Sequence, residues 1–290
     1  GSNLFVNSLL EDTTRQCIWI GMEGYLFQYN PTTGEMKAIE VFHNNSIKSL
    51  ALDGDENLLA GTDNGLYVYQ NDKEPLQHII HDSRNIQSLT NNIIWNIFSD
   101  QEHNIWLGTD YGISLSRYNS ALQFVPISQI TGTGDGNQFY SLFRDSKGFY
   151  WFGGTNGVIR FTHPAGNKHD AIWYRMGDKN HPLSHNRIRH IYEDREQQLW
   201  IATDGSINRY DYNTHQFVHY NIVDSTGTYN TNWAYYLFED TDGKLWIATC
   251  LGGIFVVDKH KLIQSAGKSY VADQNYSIHN GLSGMFINQI

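Results

Sequence analysis

The chain is poor in cysteine, proline, basic charge and long apolar runs. Cys17 and Cys250 are its two cysteines and no CxxC occurs, which excludes cysteine-ligated zinc and thioredoxin-type redox chemistry. Lys and Arg number 20 against 30 Asp and Glu, for a net charge of −10, and no basic run occurs. A binder of the nucleic-acid backbone needs the opposite balance. No apolar window is long enough to cross a bilayer as a helix. The opening "GSNLF" lacks the charged and apolar regions of a secretory signal. Gly1-Ser2 has the look of a tag remnant, so the chain is expected to be cut from a longer protein whose address it does not carry.

What is present is apolar and aromatic. Of 290 residues, 40% are hydrophobic and 14% aromatic, enough for a sizeable core. No stretch sustains a 3.6-residue period, so few helices are expected. Instead one phrase recurs six times: "CIWIGMEGYLF", "NLLAGTDNGLYVY", "NIWLGTDYGISL", "FYWFGGTNGVIRF", "QLWIATDGSINRY" and "KLWIATCLGGIFVV". Its anchors are Trp19, Leu59, Trp106, Trp151, Trp200 and Trp246, at steps of 40, 47, 45, 49 and 46 residues. Six or seven residues upstream of each anchor stands an aspartate: Asp12, Asp53, Asp100, Asp145, Asp194 and Asp240. An alternating apolar stretch precedes each aspartate, and a seventh such stretch, "MFINQI", begins at Met285.

Each unit has the pattern of four short strands. The first ends at the aspartate, a polar turn follows, the second carries the tryptophan, a glycine turn leads to the third, and the fourth is variable. Four-stranded units of this length, repeated, indicate an all-β fold: a β-propeller of four-stranded antiparallel blades. The whole chain is taken as a single propeller domain or fragment. The units fall at about 4–43, 44–88, 89–133, 134–183, 184–228 and 229–280, with 281–290 starting a further blade.

The repeated residues are assigned to architecture. An Asp side chain accepts backbone N–H groups a few residues on and fixes a hairpin. The tryptophans fill space between blades, and the turn glycines allow positive φ. A catalytic group has no need to occur in every blade, so no catalytic residue is assigned.

"NNIIWNIFSDQEHNIWLGTDYGISLSRY", "HNRIRHIYEDREQQLWIATDGSINRY" and "TNWAYYLFEDTDGKLWIATCLGGIFVV" resemble the regulator-propeller repeat of the periplasmic sensor regions of hybrid two-component systems. The resemblance covers essentially the whole chain. It implies a periplasmic, non-enzymatic fragment of a membrane-spanning histidine kinase, with an oligosaccharide as ligand. Further domains of the same protein, or a homodimer partner, are the implied protein partners. Membrane attachment would come only through downstream segments, and neither cofactor nor nucleic acid is implied. Family propellers are seven-bladed, whereas this chain holds six full repeats and one strand. Leu59 in place of tryptophan and the shortened "MEGYLF" turn make the first two units degenerate.

Propeller geometry places the turn between strands two and three on the same rim as the entry to strand one, opposite the Asp turns. The entry residues are Asn45-Ser46, Asn91-Asn92, Asn137-Gln138, Asn186-Arg187 and Asn232-Trp233. Trp95, Tyr140, Arg187, Arg189, Asn232, Trp233 and Tyr235 are the candidate ligand residues, because rings stack on sugar faces while amides and guanidinium groups bond hydroxyls. The asparagines have a plainer role available, closing loops onto the backbone. His163, His169, His181 and His185 crowd the insert 162–185, but no metal-binding spacing occurs and no metal is expected. Cys17 and Cys250 fall on opposite rims, which forbids a disulfide. Two other function classes stay open: a carbohydrate-active lyase or glycosidase, drawing on Asp63, Asp110, Asp135 or Asp204, and a protein-interaction scaffold.

Overall fold

The computed structural model describes residues 5–42, 44–70, 77–120, 122–131, 137–162, 170–179, 182–265 and 267–289. Asp135, His163, His169 and His181 lie outside the described residues. The chain's contacts form two compact units, one running to Leu142 and the other starting at Phe143.

In the first unit, β1 (Val6–Asp12), β2 (Cys17–Met22), β3 (Tyr25–Tyr29) and β4 (Met36–Ala38) form one antiparallel sheet in sequential order. β5 (Ile47–Leu52), β6 (Leu58–Thr62), β7 (Gly65–Tyr69) and β8 (Gln77–Ile79) form the next. β9 (Ile94–Ser99), β10 (Ile105–Thr109), β11 (Gly112–Ser116) and β12 (Phe124–Pro126) form the third, followed by the short helix α1 (Ile127–Thr131). First strands pack side by side, β1 on β5 and β5 on β9. Glycine in strand two permits this approach: a Cβ on Gly61 would stand 2.7 Å from Ile94 Cγ2.

A fourth sheet contains β13 (Phe139–Arg144), β14 (Tyr150–Gly154), β15 (Gly157–Phe161) and β16 (Ile172–Tyr174). In the second unit follow β17 (Ile188–Glu193), β18 (Leu199–Thr203), β19 (Ser206–Asp211) and β20 (Gln216–Tyr220), again one sheet. After β21 (Ile222–Val223), the last blade has β22 (Ala234–Glu239), β23 (Lys244–Thr249) and β24 (Ile254–Asp258). Its outer strand is delayed. The helix α2 (Lys259–Gln264), capped by the Asp258 side chain, and β25 (Tyr270–Val271), which pairs in parallel with β21, intervene before β26 (Gln274–Tyr276) completes the sheet. In the second to fourth blades the second and third strands are buried almost throughout, as expected of sheets covered on both faces.

The turn aspartates share one geometry. Asp100 Oδ1 accepts the backbone N–H groups of Glu102 and Asn104 at 3.0 and 2.9 Å, while Oδ2 accepts the Trp106 indole N–H at 2.8 Å. Asp145 with Trp151, Asp194 with Trp200 and Asp240 with Trp246 repeat it at 2.7, 2.9 and 2.7 Å. Asp12 receives Trp19 at 2.9 Å and is also paired to Arg15. Sequence reading treated the tryptophan as an apolar filler; its N–H is an equal part of the turn. Burial alone would raise the Asp12 carboxyl, but the Trp19 and Arg15 hydrogen bonds outweigh it and hold the pKa below the usual carboxylate value. Trp19, Trp106, Trp151 and Trp200 are fully buried, and Trp246 is half-buried.

Candidate functional site

At the end of the sheets away from the Asp turns, backbone hydrogen bonds tie each glycine turn to the entry of the following blade. Gly24 N donates to Asn45 O, Gly65 N to Asn92 O, Gly112 N to Asn137 O and Gly157 N to Asn186 O, over 2.6–3.1 Å. Gly253 N donates in the same way to Met285 O at 3.2 Å, so Met285 occupies an entry position. Gly157 shows why glycine stands there: its φ is +93° and a Cβ would collide with the Tyr174 carbonyl.

The asparagines at these entries are engaged locally. Asn92 Oδ1 accepts His81 N at 2.6 Å and Asn186 Oδ1 accepts Met176 N at 2.7 Å. The Asn232 backbone N–H donates to the Asn230 side chain at Oδ1, 3.0 Å away, and Asn232 is exposed.

First strands carry a β-bulge at their second residue. Pairing runs from Ile94↔Thr109 to Asn96↔Gly108, from Ile188↔Thr203 to His190↔Ala202, and from Ala234↔Thr249 to Tyr236↔Ala248. Trp95, Arg189 and Tyr235 are therefore the extra residues, and Lys48 is a fourth. A bulge re-aims its side chain, and here it aims at the glycine turn of its own blade. Trp95 Nε1 donates to Asp110 Oδ1 at 3.0 Å. Arg189 donates to both oxygens of Asp204, at 2.7 and 3.2 Å.

Bulge residues of successive blades touch. In the first unit the Lys48 ammonium lies 4.7 Å from the Trp95 ring centroid, and Trp95 meets Tyr140 edge-to-face at 5.4 Å. Gln138 Nε2 joins Trp95 on Asp110 at 2.6 Å and accepts the Tyr140 hydroxyl at its Oε1. In the second unit the Arg189 guanidinium lies 4.4 Å from the Tyr235 ring, and Tyr235 meets Phe286 edge-to-face at 5.3 Å. Arg187 stands 3.9 Å from Asp204 and is 43% exposed. Sequence reasoning missed Lys48, Gln138 as a bridging amide, and Phe286. The signal for Lys48 was its place one residue after Ile47, matching Trp95 after Ile94.

Trp233 differs from the others. Its φ is +57°, left-handed, and its side chain is 44% exposed. Its backbone is clamped on both sides: N donates to Asp204 O and O accepts Cys250 N, each at 3.0 Å. Burial raises the Cys250 thiol pKa, so the group facing Arg189 and Asp204 is a neutral thiol. Burial likewise raises the Tyr235 hydroxyl pKa, so it stays a neutral donor. The second unit thus presents a guanidinium, a phenol and an exposed indole on adjacent strand entries. Asp110 and Asp204 are each occupied by two side chains, and Asp63 accepts Ser46 N at 3.2 Å, so each already serves a local role. No group of three metal-ligating side chains occurs among the described residues, and both cysteines are free thiols.

Six sheets of four antiparallel strands with almost no helix define an all-β propeller. The chain is built of two component regulator propeller repeats, whose family model matches residues 88–111, 133–156, 182–205 and 228–250. It is 85% identical to the extracellular domain of BT4673 from B. thetaiotaomicron, described as a hybrid two component system, covering 100% of this chain and 39% of that one, at a TM-score of 0.56. It also resembles the extracellular domain of BT3049 from the same organism, described likewise: 19% identity, 98% and 36% coverage, TM-score 0.70. The WD40 β-propeller domain of Doa1 shares the fold at 10% identity, with 100% and 86% coverage and a TM-score of 0.66. The chain spans 39% of the length of the first two solved chains it matches. No curated protein matches it.

Proposed function

We propose that this chain is a ligand-sensing segment from the periplasmic region of a hybrid two-component system, with an oligosaccharide as its ligand. The extracellular domains to which it is similar support the setting. The ligand class rests on the strand entries: Trp95 and Tyr140 in one unit, and Arg187, Arg189, Asn232, Trp233 and Tyr235 in the other. In this reading the segment itself performs no chemistry and the kinase lies elsewhere in the full-length protein. Ligand binding shifts the balance between arrangements of domains or of a dimer, which requires different affinity for the two arrangements.

The observation that carries the reading is Trp233. A large side chain held at φ +57° with its ring in solvent costs about 1–2 kcal/mol relative to glycine. Exposure of nearly half the side chain limits what the ring returns to folding, so an indole at this position points to a use beyond it.

Titration calorimetry against a panel of neutral and acidic oligosaccharides, run on the unsubstituted chain and on Trp233→Gly, tests it. Glycine relieves the backbone while removing the ring. The expected result is a protein of equal or higher stability with its glycan affinity lost. Affinity unchanged in Trp233→Gly removes that residue from the site, and failure of every glycan to bind rejects the ligand class.

A further inference from the structure

Five of the six aspartates described above hold an indole. The second blade does not. Asp53 Oδ1 accepts Asp55 N and Asn57 N at 2.9 and 2.8 Å, and Oδ2 accepts Asn57 Nδ2 at 2.8 Å. In the third blade Asp100 Oδ2 receives the equivalent amide of Asn104 at 3.0 Å and, in addition, Trp106 Nε1 at 2.8 Å. The two turns therefore match atom for atom except that Leu59 stands where Trp106 stands.

A second deletion faces the first. Tyr69 pairs with Leu58 and Tyr210 with Leu199 on their strands, and Ser116 holds that position opposite Ile105. Tyr69 meets Trp19 edge-to-face at 6.1 Å and Tyr210 meets Trp151 at 4.8 Å. Between the second and third blades both rings of this pair are absent. Asp53 is half-buried, whereas Asp12, Asp100, Asp145 and Asp194 are buried. A cleft of about 430 Å3 opens there, with Asp53 and Asn57 at one side, Val68, Ile105 and Leu122 as its aliphatic lining, and most of the remaining lining, His103, Ser116 and Arg117 included, polar. That size lies within the range of about 300–1,000 Å3 usual for small-molecule sites.

We propose that this cleft is a binding site for a small neutral aromatic that carries a ring N–H, of the indole type. The ring takes the place vacated by the tryptophan and tyrosine, against Val68, Ile105 and Leu122. Its N–H donates to Asp53 Oδ2, as the Trp106 indole does to Asp100. The chain thus supplies its own template for the complex. The carboxylate selects a donor, and the room left by the two missing rings selects a flat body. This site is separate from the strand-entry residues, and its success or failure leaves the oligosaccharide reading untouched.

Calorimetry and thermal melts of the whole chain with free indole and with benzofuran test it. The two rings have the same shape, and benzofuran has no N–H. Indole is expected to bind and to raise Tm, with benzofuran about tenfold or more weaker, since hydrogen bonds to ionised acceptors are the strong ones. Leu59→Trp fills the cleft from within, and is expected to raise Tm and abolish indole binding. Ser116→Tyr fills it from the other wall and serves the same purpose where Leu59→Trp does not fold. Three results each overturn the proposal: no binding of indole, equal affinity for benzofuran, or indole affinity unchanged in a folded filling variant.

Discussion

The Tyr212 hydroxyl donates to Asp145 Oδ2 at 2.7 Å, onto the same oxygen that receives the Trp151 indole N–H at 2.7 Å. Tyr212 directly follows the third strand of the fifth blade, and Asp145 closes the first hairpin of the fourth. The bond therefore latches neighbouring blades through a side chain, where strand pairing cannot reach. Lys259, directly after the third strand of the sixth blade, does the same for the fifth: its ammonium lies 3.3 Å from Asp194 and 2.6 Å from Glu239.

Tyr212→Phe should lower stability by about 1.5 kcal/mol, the low end for a hydrogen bond to a charged acceptor, because Asp145 keeps its other donors. The variant should also change the alkaline limb. Burial, and then the Asp145 hydrogen bond, raise the Tyr212 pKa well above its ordinary value of 10. Above that value the unfolded chain releases the proton and the folded one keeps it, so stability falls as pH rises. Urea melts at neutral pH and above pH 10 should show the decline reduced in Tyr212→Phe.

Lys259 is buried between two carboxylates. Burial acts to lower its pKa, but the Glu239 hydrogen bond and the Asp194 charge overcome this and raise it. Lys259→Met removes the cation and leaves Asp194 and Glu239 facing each other. A loss of about 3–5 kcal/mol is expected, as for breaking one partner out of a buried ion pair. Equilibrium denaturation gives the number, and a loss below about 1 kcal/mol would refute the latch.

His190 stacks on Tyr236 with ring centroids 4.1 Å apart and accepts Leu237 N at its Nδ1, 3.1 Å away. Desolvation pulls its pKa from 6.5 to about 4. Between those values the unfolded chain binds the proton and the folded one does not. Stability should therefore be full above about pH 6.5 and decline as pH falls towards 4. His190→Asn should flatten that window while leaving the steeper acid limb below pH 4, where Asp12 and Asp240, both with lowered pKa values, take up protons. Thermal melts across pH 4–7 separate the two.

The tryptophans should not be equivalent in cost. Trp106→Ala removes a fully buried indole and a hydrogen bond to Asp100, and should cost about 3–5 kcal/mol. Trp246 is half-buried and stacks on Tyr276 of its own blade at 5.7 Å. Trp246→Ala should cost less, in proportion to the smaller area withdrawn from water. Calorimetric unfolding of both variants checks the order.

Much of the fold was legible in the sequence. Strand alternation, the aspartate six or seven residues before each anchor, and the glycine turns are local, and each hairpin is specified by residues within a dozen positions of one another. The six sheets and the scarcity of helix follow from them. The rim was legible only in part. Trp95, Arg189 and Tyr235 stood out as aromatic or basic residues at strand starts, but not as bulged ones. A bulge is a mismatch between two strands, visible only once both are paired. The delayed outer strand of the last blade was hidden for a similar reason: "QNY" has no pattern of its own and becomes a strand by bonding to β24.

By itself, then, the sequence determined the repeat, its length, and the residue types at each hairpin, because turn chemistry and alternation act over neighbouring residues. Only the tertiary structure decided what lies between repeats. It put Tyr212 and Lys259 on the carboxylates of the preceding blade, and Trp233 in a left-handed conformation between Asp204 and Cys250. It also set Leu59 and Ser116, unremarkable in their own strands, at the positions that Trp19 and Tyr69 hold between the first two blades. Tyr212 and Lys259 lie 67 and 65 positions from Asp145 and Asp194, and no short-range rule relates them; the contacts exist because packed sheets bring neighbouring blades together.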